Sequence, residues 1–292
     1  MTVKTAQDQV VVAQQGQLND RFIRAVEQLG PDSAGGSAER RIGAIYALEH
    51  IAHDAPVEQP ATVEVISAFV RSHAPRTGSP CPAIPATDVQ TALSVLARRR
   101  TLEIDARPDL NNTCLKGANL NTRQVFVGRG GDQVRRDALL EDTILTNADL
   151  TNANLSDANL KRANLNGAIL TGAYLVGAKL GHANLGRADL TDTSFLFADL
   201  SYAHLADATM VRAGVAKADL TGANLTGVNA DQAIFNEANL TGADLTAAIL
   251  TGAVLARTNT TRANFTKADL IGADLRSVDL TDTILTEAKL PQ

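Results

Sequence analysis

The stretch "NADLTNANLSDANLKRANL" (residues 147–165) has a leucine at every fifth position and an alanine two residues before each leucine. Units of this kind follow one another without a slip from Leu140 to Leu290, which makes 31 units of five residues. The central position, i, is leucine in 24 of these units, and position i−2 is alanine in 25 of them. This repeat decides the fold of about half of the chain.

A five-residue period suits neither regular element. A helix turns about 100° per residue, so five residues rotate each leucine by about 140° and give no single apolar stripe. A flat strand alternates its faces, so an odd spacing sends successive leucines to opposite sides. The chain must therefore turn once per unit, and glycine at position i+2 fits a turn with positive φ. Such glycines are Gly167, Gly172, Gly177, Gly222, Gly242, Gly252 and Gly272.

Charges at position i+2 indicate how many units form one coil. At a separation of 20 residues all seven charged pairs are opposite in sign, whereas separations of 15 and of 25 residues each bring together two like-charged pairs. Stacked strands lie about 4.8 Å apart, where like charges repel. We therefore predict coils of four units, in which these residues stack: Asp142–Arg162, Arg187–Asp207, Asp192–Arg212, Lys217–Glu237, Glu237–Arg257, Arg262–Asp282 and Lys267–Glu287.

Residues 1–105 follow a different pattern, that of four short helices. Leu18, Phe22, Val26 and Leu29 recur at helical spacing, and a later stripe contains Ile42, Ile45, Leu48 and Ile51. Pro60 begins a third helix that ends before Pro75, and Thr87 or Asp88 is the expected N-cap of a fourth. The sequence predicts an α-helical domain over 1–105 and a repeat domain over 106–292.

Composition restricts the class of protein. The net charge of −5 argues against direct binding of nucleic acid. No stretch has the roughly 20 apolar residues of a membrane span. Cys81 and Cys114 have no disulfide-framework or metal spacing, so we expect two reduced cysteines in a cytoplasmic protein.

Neither an active site nor a metal site is expected. His50 and His53 have helical spacing but no third ligand nearby, and "EHIAH" does not match the HExxH zinc motif. His182 and His204 lie at outward repeat positions, and no acid/base pair of carboxylates stands out. We therefore predict a non-enzymatic protein without a cofactor.

The A(D/N)LXX units resemble those of pentapeptide repeat proteins. That resemblance implies a mainly β fold, a right-handed quadrilateral β-helix. The segments "DRFIRAVEQLG", "RRIGAIYALEHIAHDAP" and "DVQTALSVLARR" are similar to the helical N-terminal leader of many actinobacterial members. The MfpA and Qnr branch of the family implies a DNA mimic that binds DNA gyrase or topoisomerase IV and protects it from quinolones or natural-product poisons. The alternative is a structural scaffold, which in some members lies near a membrane.

Acidic residues of the repeat are the first candidate for partner binding. From Ala138 onward there are 17 acidic and 11 basic residues, as a mimic of DNA needs, because its target groove is basic. Asp199 and Asp219 are expected to stack as a like-charge pair. The alternative is an ordinary solvated surface, because aspartate at i−1 belongs to the repeat itself. The candidates are Asp149, Asp189, Asp199, Asp219 and Asp279.

The repeat is broken once, at "NTRQVFVGRGGDQVRR" (residues 121–136). In frame, the break would place Arg135 at a central position, where an unpaired arginine is too costly to bury. We expect a basic loop at about 121–137 that projects from the first coils, and similar family members use such loops to engage the topoisomerase. A tolerated insertion is the alternative. Its basic residues are Arg123, Arg129, Arg135 and Arg136.

Two further expectations concern apolar surface. Val176 and Leu196 occupy outward positions one coil apart, with Tyr174, Phe197 and Tyr202 nearby. This cluster indicates a contact with a partner protein or, equally, packing against the helical domain or a second copy. The last coil has an open edge with only two residues after Leu290, so we expect a homodimer that joins end to end there.

Overall fold

The computed structural model describes residues 2–30, 37–77, 80–100, 106–121, 124–127, 133–136 and 138–291. Four helices come first: α1 (Thr2–Gln28), α2 (Ala38–Asp54), α3 (Gln59–His73) and α4 (Thr87–Arg98). A 3₁₀ turn, Pro56–Glu58, lies between α2 and α3. None of the described helices is long and apolar enough to cross a membrane.

The first helix of the helical domain, α1, is longer than the short helix that the sequence predicts. This helix begins at Thr2, well before Leu18, the first residue of the predicted apolar spacing, and it contacts α2. Ala25 near its C-terminal end and Leu29 just after it are buried. The helical spacing predicts that Val26 is buried, and this is wrong. Val26 is exposed, and the smaller Ala25 is buried instead. In α2, Ile45, Leu48 and Ile51 are fully buried, as the spacing predicts.

The predicted N-cap of α4, Thr87 or Asp88, is also wrong. Its cap residue is Ala86, which has no side chain to accept a capping hydrogen bond. Asp88 instead lies buried in the helical domain, where it accepts a hydrogen bond of 2.6 Å from Nε of Arg41 in α2. An ion pair between residues 47 positions apart has no signal in local sequence.

Parallel β-bridges stack the repeats with a separation of 20 residues, as in the bridge between Ile144 and Asn164. Leu145 donates its N–H to the carbonyl of Asn164 at 2.7 Å, and Asn164 donates to the carbonyl of Thr143 at 2.9 Å. The predicted coil of four units is thus confirmed. We number the units of each coil as sides 1 to 4, with Leu145 on side 1, Leu150 on side 2, Leu155 on side 3 and Leu160 on side 4.

Each unit ends in a turn at positions i+1 and i+2. The N–H of the following residue closes the turn onto the carbonyl of position i, as from Ala148 to Leu145 at 3.1 Å. Gly167 has φ +65°, as glycine at this position predicts. Residues with a side chain adopt the same conformation in many other turns, for example Ala247 with φ 57°.

Leucine at i and alanine at i−2 form the interior. Phe195, Val215 and Phe235, which follow one another on side 3, are all fully buried. In the last coil this burial weakens: Leu285 is only half-buried, and Leu290 is 47% exposed.

The stacked charges form the expected ion pairs. Five of the seven predicted pairs lie within 4.0 Å, and the shortest joins Arg212 to Asp192 at 2.6 Å. Two further pairs, Lys289–Asp269 and Arg276–Asp274, add to them near the C-terminal end.

The helical domain covers the first coil, whose edge would otherwise be open. Leu139 donates its N–H to the carbonyl of Ala97 at the end of α4, at 2.6 Å. The side-chain amide of Gln90 exchanges two hydrogen bonds with the backbone of Asn119, at 2.8 and 3.0 Å. The buried side chains of the helices and the coils form one continuous core.

The expectation of two reduced cysteines is wrong, because Cys81 and Cys114 form a disulfide. Docking of the helical domain brings their Cα atoms to 5.4 Å, although they are 33 residues apart in sequence. Cys114 donates its backbone N–H to the carbonyl of Ala74. This hydrogen bond holds the loop after α3 against the first coil. Spacing alone could not reveal this pairing, since it depends on the docking.

The break in the repeat contains two strands rather than an irregular loop. β1 (Gln124–Val127) pairs antiparallel with β2 (Gln133–Arg136). Bridges of the first coil join residues 35 apart, such as Asn119 and Asn154, whereas the separation is 20 from Leu139 onward. The difference of 15 residues is the length of the insertion, which lies between sides 3 and 4 of the first coil.

Candidate protein-interaction surface

The five candidate aspartates share a structural role. In each, Oδ1 accepts a hydrogen bond from the backbone N–H two residues later, as from Thr151 to Asp149 at 3.0 Å. The corresponding bonds of the others are 2.9 to 3.0 Å long. Aspartate and asparagine side chains commonly close turns in this way. The carboxylates are therefore held in fixed positions at the surface.

The structure divides these aspartates between two sides of the solenoid. Asp149 and Asp189 lie on side 2, two coils apart with Ile169 between them. Asp199, Asp219 and Asp279 lie on side 4, where Asp199 and Asp219 occupy adjacent coils and are joined by a β-bridge. The expected stacking of the like-charge pair is thus confirmed, but the five residues do not form one stripe.

Side 4 continues as a row of hydrogen-bonded polar groups. Asn239 Nδ2 donates to Oδ1 of Asp219 at 3.1 Å and to Oγ1 of Thr221 at 2.8 Å. In the next coil, Asn259 Nδ2 donates to Asn239 and Thr241 in the same manner. We call the i−1 residues Asp199, Asp219, Asn239, Asn259 and Asp279 the acidic row.

Hydrogen bonding keeps several surface carboxylates ionised. The hydroxyl and backbone N–H of Thr281 lower the pKa of Asp279 below its ordinary value. The Arg212 guanidinium lowers the pKa of Asp192, and the Lys289 ammonium lowers that of Asp269. These groups are anionic at neutral pH.

Two of the four basic residues of the insertion lie in the described strand pair. Arg135 and Arg136 belong to β2 and pair with Val125 and Gln124 of β1. Arg123 and Arg129 lie outside the described residues. A role for these four arginines stays a prediction.

The aromatic side chains lie on two turns, with Phe197 between sides 3 and 4 and Tyr202 between sides 4 and 1. Phe197 and Tyr202 are each 58% exposed. The ring of Tyr202 stacks on His182 at a centroid distance of 5.2 Å, and Lys217 Nζ lies 5.6 Å from the centroid of Phe197. One expectation is that the helical domain packs against this cluster. The helical domain does not cover these rings.

The apolar cluster on side 3 is longer than the sequence around Val176 and Leu196 predicts. Over five successive coils its outward positions are Tyr174, Val176, Ser194, Leu196, Gly214, Ala216, Ile234, Asn236, Val254 and Ala256. None of these ten residues is charged, whereas sides 1, 2 and 4 carry Asp244, Asp189 and Asp219 at equivalent positions. We call these ten residues the apolar face. These residues are not neighbours in the sequence and lie side by side only because the coils stack, so the pattern near Val176 and Leu196 predicts only part of the face.

A small cavity lies beside the disulfide, between the end of α3 and the loop that precedes α4. Its volume is about 200 Å³, and its lining includes His73, Pro75, Pro82 and Cys114. In the described part of the chain, no group of three His, Cys, Asp or Glu side chains is arranged to hold a metal ion.

The solved structures to which this chain is similar include several pentapeptide repeat proteins. HetL, involved in heterocyst differentiation regulation in the cyanobacterium Nostoc sp. strain PCC 7120, is 32% identical over 62% of this chain and 81% of its own, with a TM-score of 0.30. A protein of the Arabidopsis thaliana thylakoid lumen is 40% identical over 34% of this chain and 66% of its own, with a TM-score of 0.20. QnrB1, a plasmid-mediated fluoroquinolone resistance protein, is 21% identical over 63% of this chain and 76% of its own, with a TM-score of 0.23. No curated protein matches the sequence.

The family assignment comes from the repeat itself. The model of the family "Pentapeptide repeats" matches in 8 copies, over residues 136–172, 173–212, 216–252 and 248–287. These segments cover about half of the chain and follow the coils described above. The chain belongs to the pentapeptide repeat family, whose members are structural and interaction modules.

Proposed function

We propose that this chain is a non-enzymatic interaction protein whose acidic row occupies the DNA-binding groove of DNA gyrase or topoisomerase IV. In that role it would protect the enzyme from a topoisomerase poison such as a quinolone. The observation that carries the proposal is the stacking of Asp199 and Asp219 in adjacent coils on one side of the rod, with Asp279 three coils further along the same side. Such a row fits a groove whose Lys and Arg residues bind phosphates.

The fixed orientation of the carboxylates in the acidic row supports this partner class. Adjacent coils place the carboxylates of Asp199 and Asp219 about 4.8 Å apart, which is longer than the roughly 3.4 Å between phosphates of one DNA strand along the helix axis, so the row resembles DNA in the sign of its charge and not in its spacing. Hydrogen bonds from Ser201 and Thr221 fix both carboxylates before binding, so little side-chain entropy is lost on docking. Asn239 and Asn259 continue the row with neutral oxygens.

The insertion offers a second contact in this proposal. Arg123, Arg129, Arg135 and Arg136 add positive charge near the N-terminal end of an acidic rod. They suit an acidic surface of the same enzyme, beside the groove that receives the acidic row. As an alternative, the insertion has no role in binding, and its deletion then leaves activity unchanged.

A supercoiling assay tests the main proposal. The protein should alter gyrase supercoiling or restore it in the presence of a quinolone. The triple variant Asp199→Asn/Asp219→Asn/Asp279→Asn keeps an acceptor for each turn but removes three charges, so it should lose most of the effect. The matched control is Asp149→Asn/Asp189→Asn on side 2. Equal activity of both variants would contradict the acidic row, and no effect of the wild-type protein on gyrase would remove the proposal.

A scaffold without a topoisomerase role is the second candidate, and the apolar face favours it. An uncharged strip on a surface is typical of a protein contact. This function predicts that the triple variant behaves as the wild type in every binding assay, whereas changes on the apolar face abolish binding.

Three finer properties belong to the same proposal. We propose that the coils form a right-handed quadrilateral β-helix, which the four turns per coil support and which a crystal structure tests. We also propose a homodimer in the cytoplasm, where the disulfide between Cys81 and Cys114 would have to resist reduction. The end-to-end contact expected at the last coil is an alternative arrangement of that dimer and stays a prediction.

A further inference from the structure

We propose that the apolar face is a self-association surface, on which a second copy of this chain packs side by side and antiparallel. Tyr174 is 55% exposed and Ile234 is 42% exposed, and neither touches another part of the described chain that would cover it. This inference is independent of the gyrase proposal.

The backbone of side 3 limits how a partner can bind. Leu175 donates its N–H to the carbonyl of Ser194, and Ser194 donates to Ala173, so the ladder is already closed along the coils. An added strand therefore finds no free edge on this side. The partner must pack a face against a face, as two sheets do at a distance of about 10 Å.

The charges that border the apolar face select the antiparallel direction. One border contains Asp192, Arg212 and Asp231, and the other contains Asp157, Lys217, Glu237 and Arg257. Two parallel copies would place Lys217 against Arg212 of the second copy at the same height. Two antiparallel copies related by a twofold axis bring each border against itself in reverse order.

Only some antiparallel registers avoid like charges. If the coil of Val215 faced itself, Lys217 would meet Lys217 of the second copy, and if the coil of Phe235 faced itself, Glu237 would meet Glu237. Placing the coil of Phe195 against the coil of Val215 avoids both. Asp192 then faces Arg212 of the second copy, Phe197 faces Lys217, and Asp157 faces Arg257.

The same register matches the sizes of side chains. Leu196 faces Ala216 of the second copy, and Ser194 faces Gly214, where a Cβ would have open space. Tyr174 packs on Ile234. A shift by one coil toward the C-terminal end would place Tyr174 and Val176 against the charged Asp274 and Arg276.

Sedimentation over a wide range of concentrations tests the surface. We expect a reversible dimer for the wild type. Ala216→Glu places a charge at the centre of the face and should weaken association about a hundredfold or more. Its matched control is Ala206→Glu, the same change at the same repeat position half a coil away on side 1, which should leave association unchanged.

Charge exchange tests the register. Asp157 and Arg257 are 100 residues apart, which is five coils or about 24 Å within one copy, so they can meet only between copies. Arg257→Asp and Asp157→Arg should each weaken the dimer about fivefold, because each creates two like-charge contacts. The double variant should restore it. Arginine already occupies equivalent turns at Arg162 and Arg212, and aspartate does so at Asp192, so the fold tolerates both changes. Arg257→Asp also removes the exposed ion pair with Glu237, which contributes little to stability.

Other outcomes overturn the proposal. A wild-type monomer at the highest concentration removes it, as does a dimer that resists Ala216→Glu but dissociates with Leu290→Glu, which would show the end-to-end contact. A weakened double variant rejects the register. Neutralising the acidic row should not change association, so a failure of the gyrase proposal is distinguishable from a failure of this one.

Discussion

The guanidinium of Arg212 donates two hydrogen bonds to the carboxylate of Asp192, which lies one coil away and 20 residues earlier. Nε–Oδ1 is 2.7 Å and Nη2–Oδ2 is 2.6 Å. Such a bidentate contact joins successive turns at the surface without any contribution from the core. The pair therefore reports directly on the stacking of the coils.

Replacing Arg212 should raise the pKa of Asp192. In the wild type the Arg212 guanidinium holds that pKa below its ordinary value, and Arg212→Ala should return it toward about 3.9, the value of a free aspartate. Carboxyl NMR titration measures the shift. Arg187→Ala, which removes another turn arginine, is the control and should leave the pKa of Asp192 where it is.

The same lowered pKa values set the response of stability to acid. Asp192, Asp269 and Asp274 are more acidic in the folded state, so their contribution is fully present above the unfolded pKa of about 3.9. It is lost as the pH falls through the lower folded values. Thermal melts should show a steady loss of stability below about pH 4, and melts that stay constant down to pH 2 would contradict the prediction.

Buried threonines provide a matched pair of core variants. Thr193 Oγ1 donates to the carbonyl of Leu170 at 2.8 Å, whereas the buried hydroxyl of Thr143 has no hydrogen-bond partner. Thr193→Val should cost about 1 kcal/mol, and Thr143→Val should be neutral or stabilising by a similar amount. Chemical denaturation of both variants measures the difference, and equal costs would contradict it.

Turn residues with positive φ predict a stabilising change. Ala247 has φ 57°, a conformation that costs a side chain about 1–2 kcal/mol. Ala247→Gly removes that cost but loosens the unfolded chain, so we expect a net gain of about 0.5–1 kcal/mol. Ala256→Gly, one position earlier in its own turn, should be destabilising, and a loss of stability in both variants would reject the explanation.

The disulfide should control how firmly the helical domain sits on the first coil. It closes a loop of 33 residues, so reduction should cost up to about 3–4 kcal/mol. The melting temperature with and without reductant measures this, and Cys81→Ser/Cys114→Ser should be insensitive to reductant. Two titratable thiols in the native, unreduced protein would contradict the bond.

Much of the solenoid could be predicted from the sequence because its determinants are local and repeated. Leucine at i and alanine at i−2 occupy the same role in most units, and glycine recurs at i+2 in some of them, so one unit predicts the next. The stacked charges then gave the coil length, which the bridge between Ile144 and Asn164 confirms. The helical domain was predicted less well, since the buried ion pair of Arg41 and Asp88 depends on how α2 meets α4.

The sequence by itself determined the period, the interior and the length of the coil, because each follows from residues at most 20 positions apart in a regular series. Tertiary structure decided what lies on each side of the rod. The pairing of Cys81 with Cys114 required the helical domain to dock. The acidic row and the apolar face each required several coils to stack, since residues that are 20 positions apart in the chain become neighbours only when the backbone ladder closes.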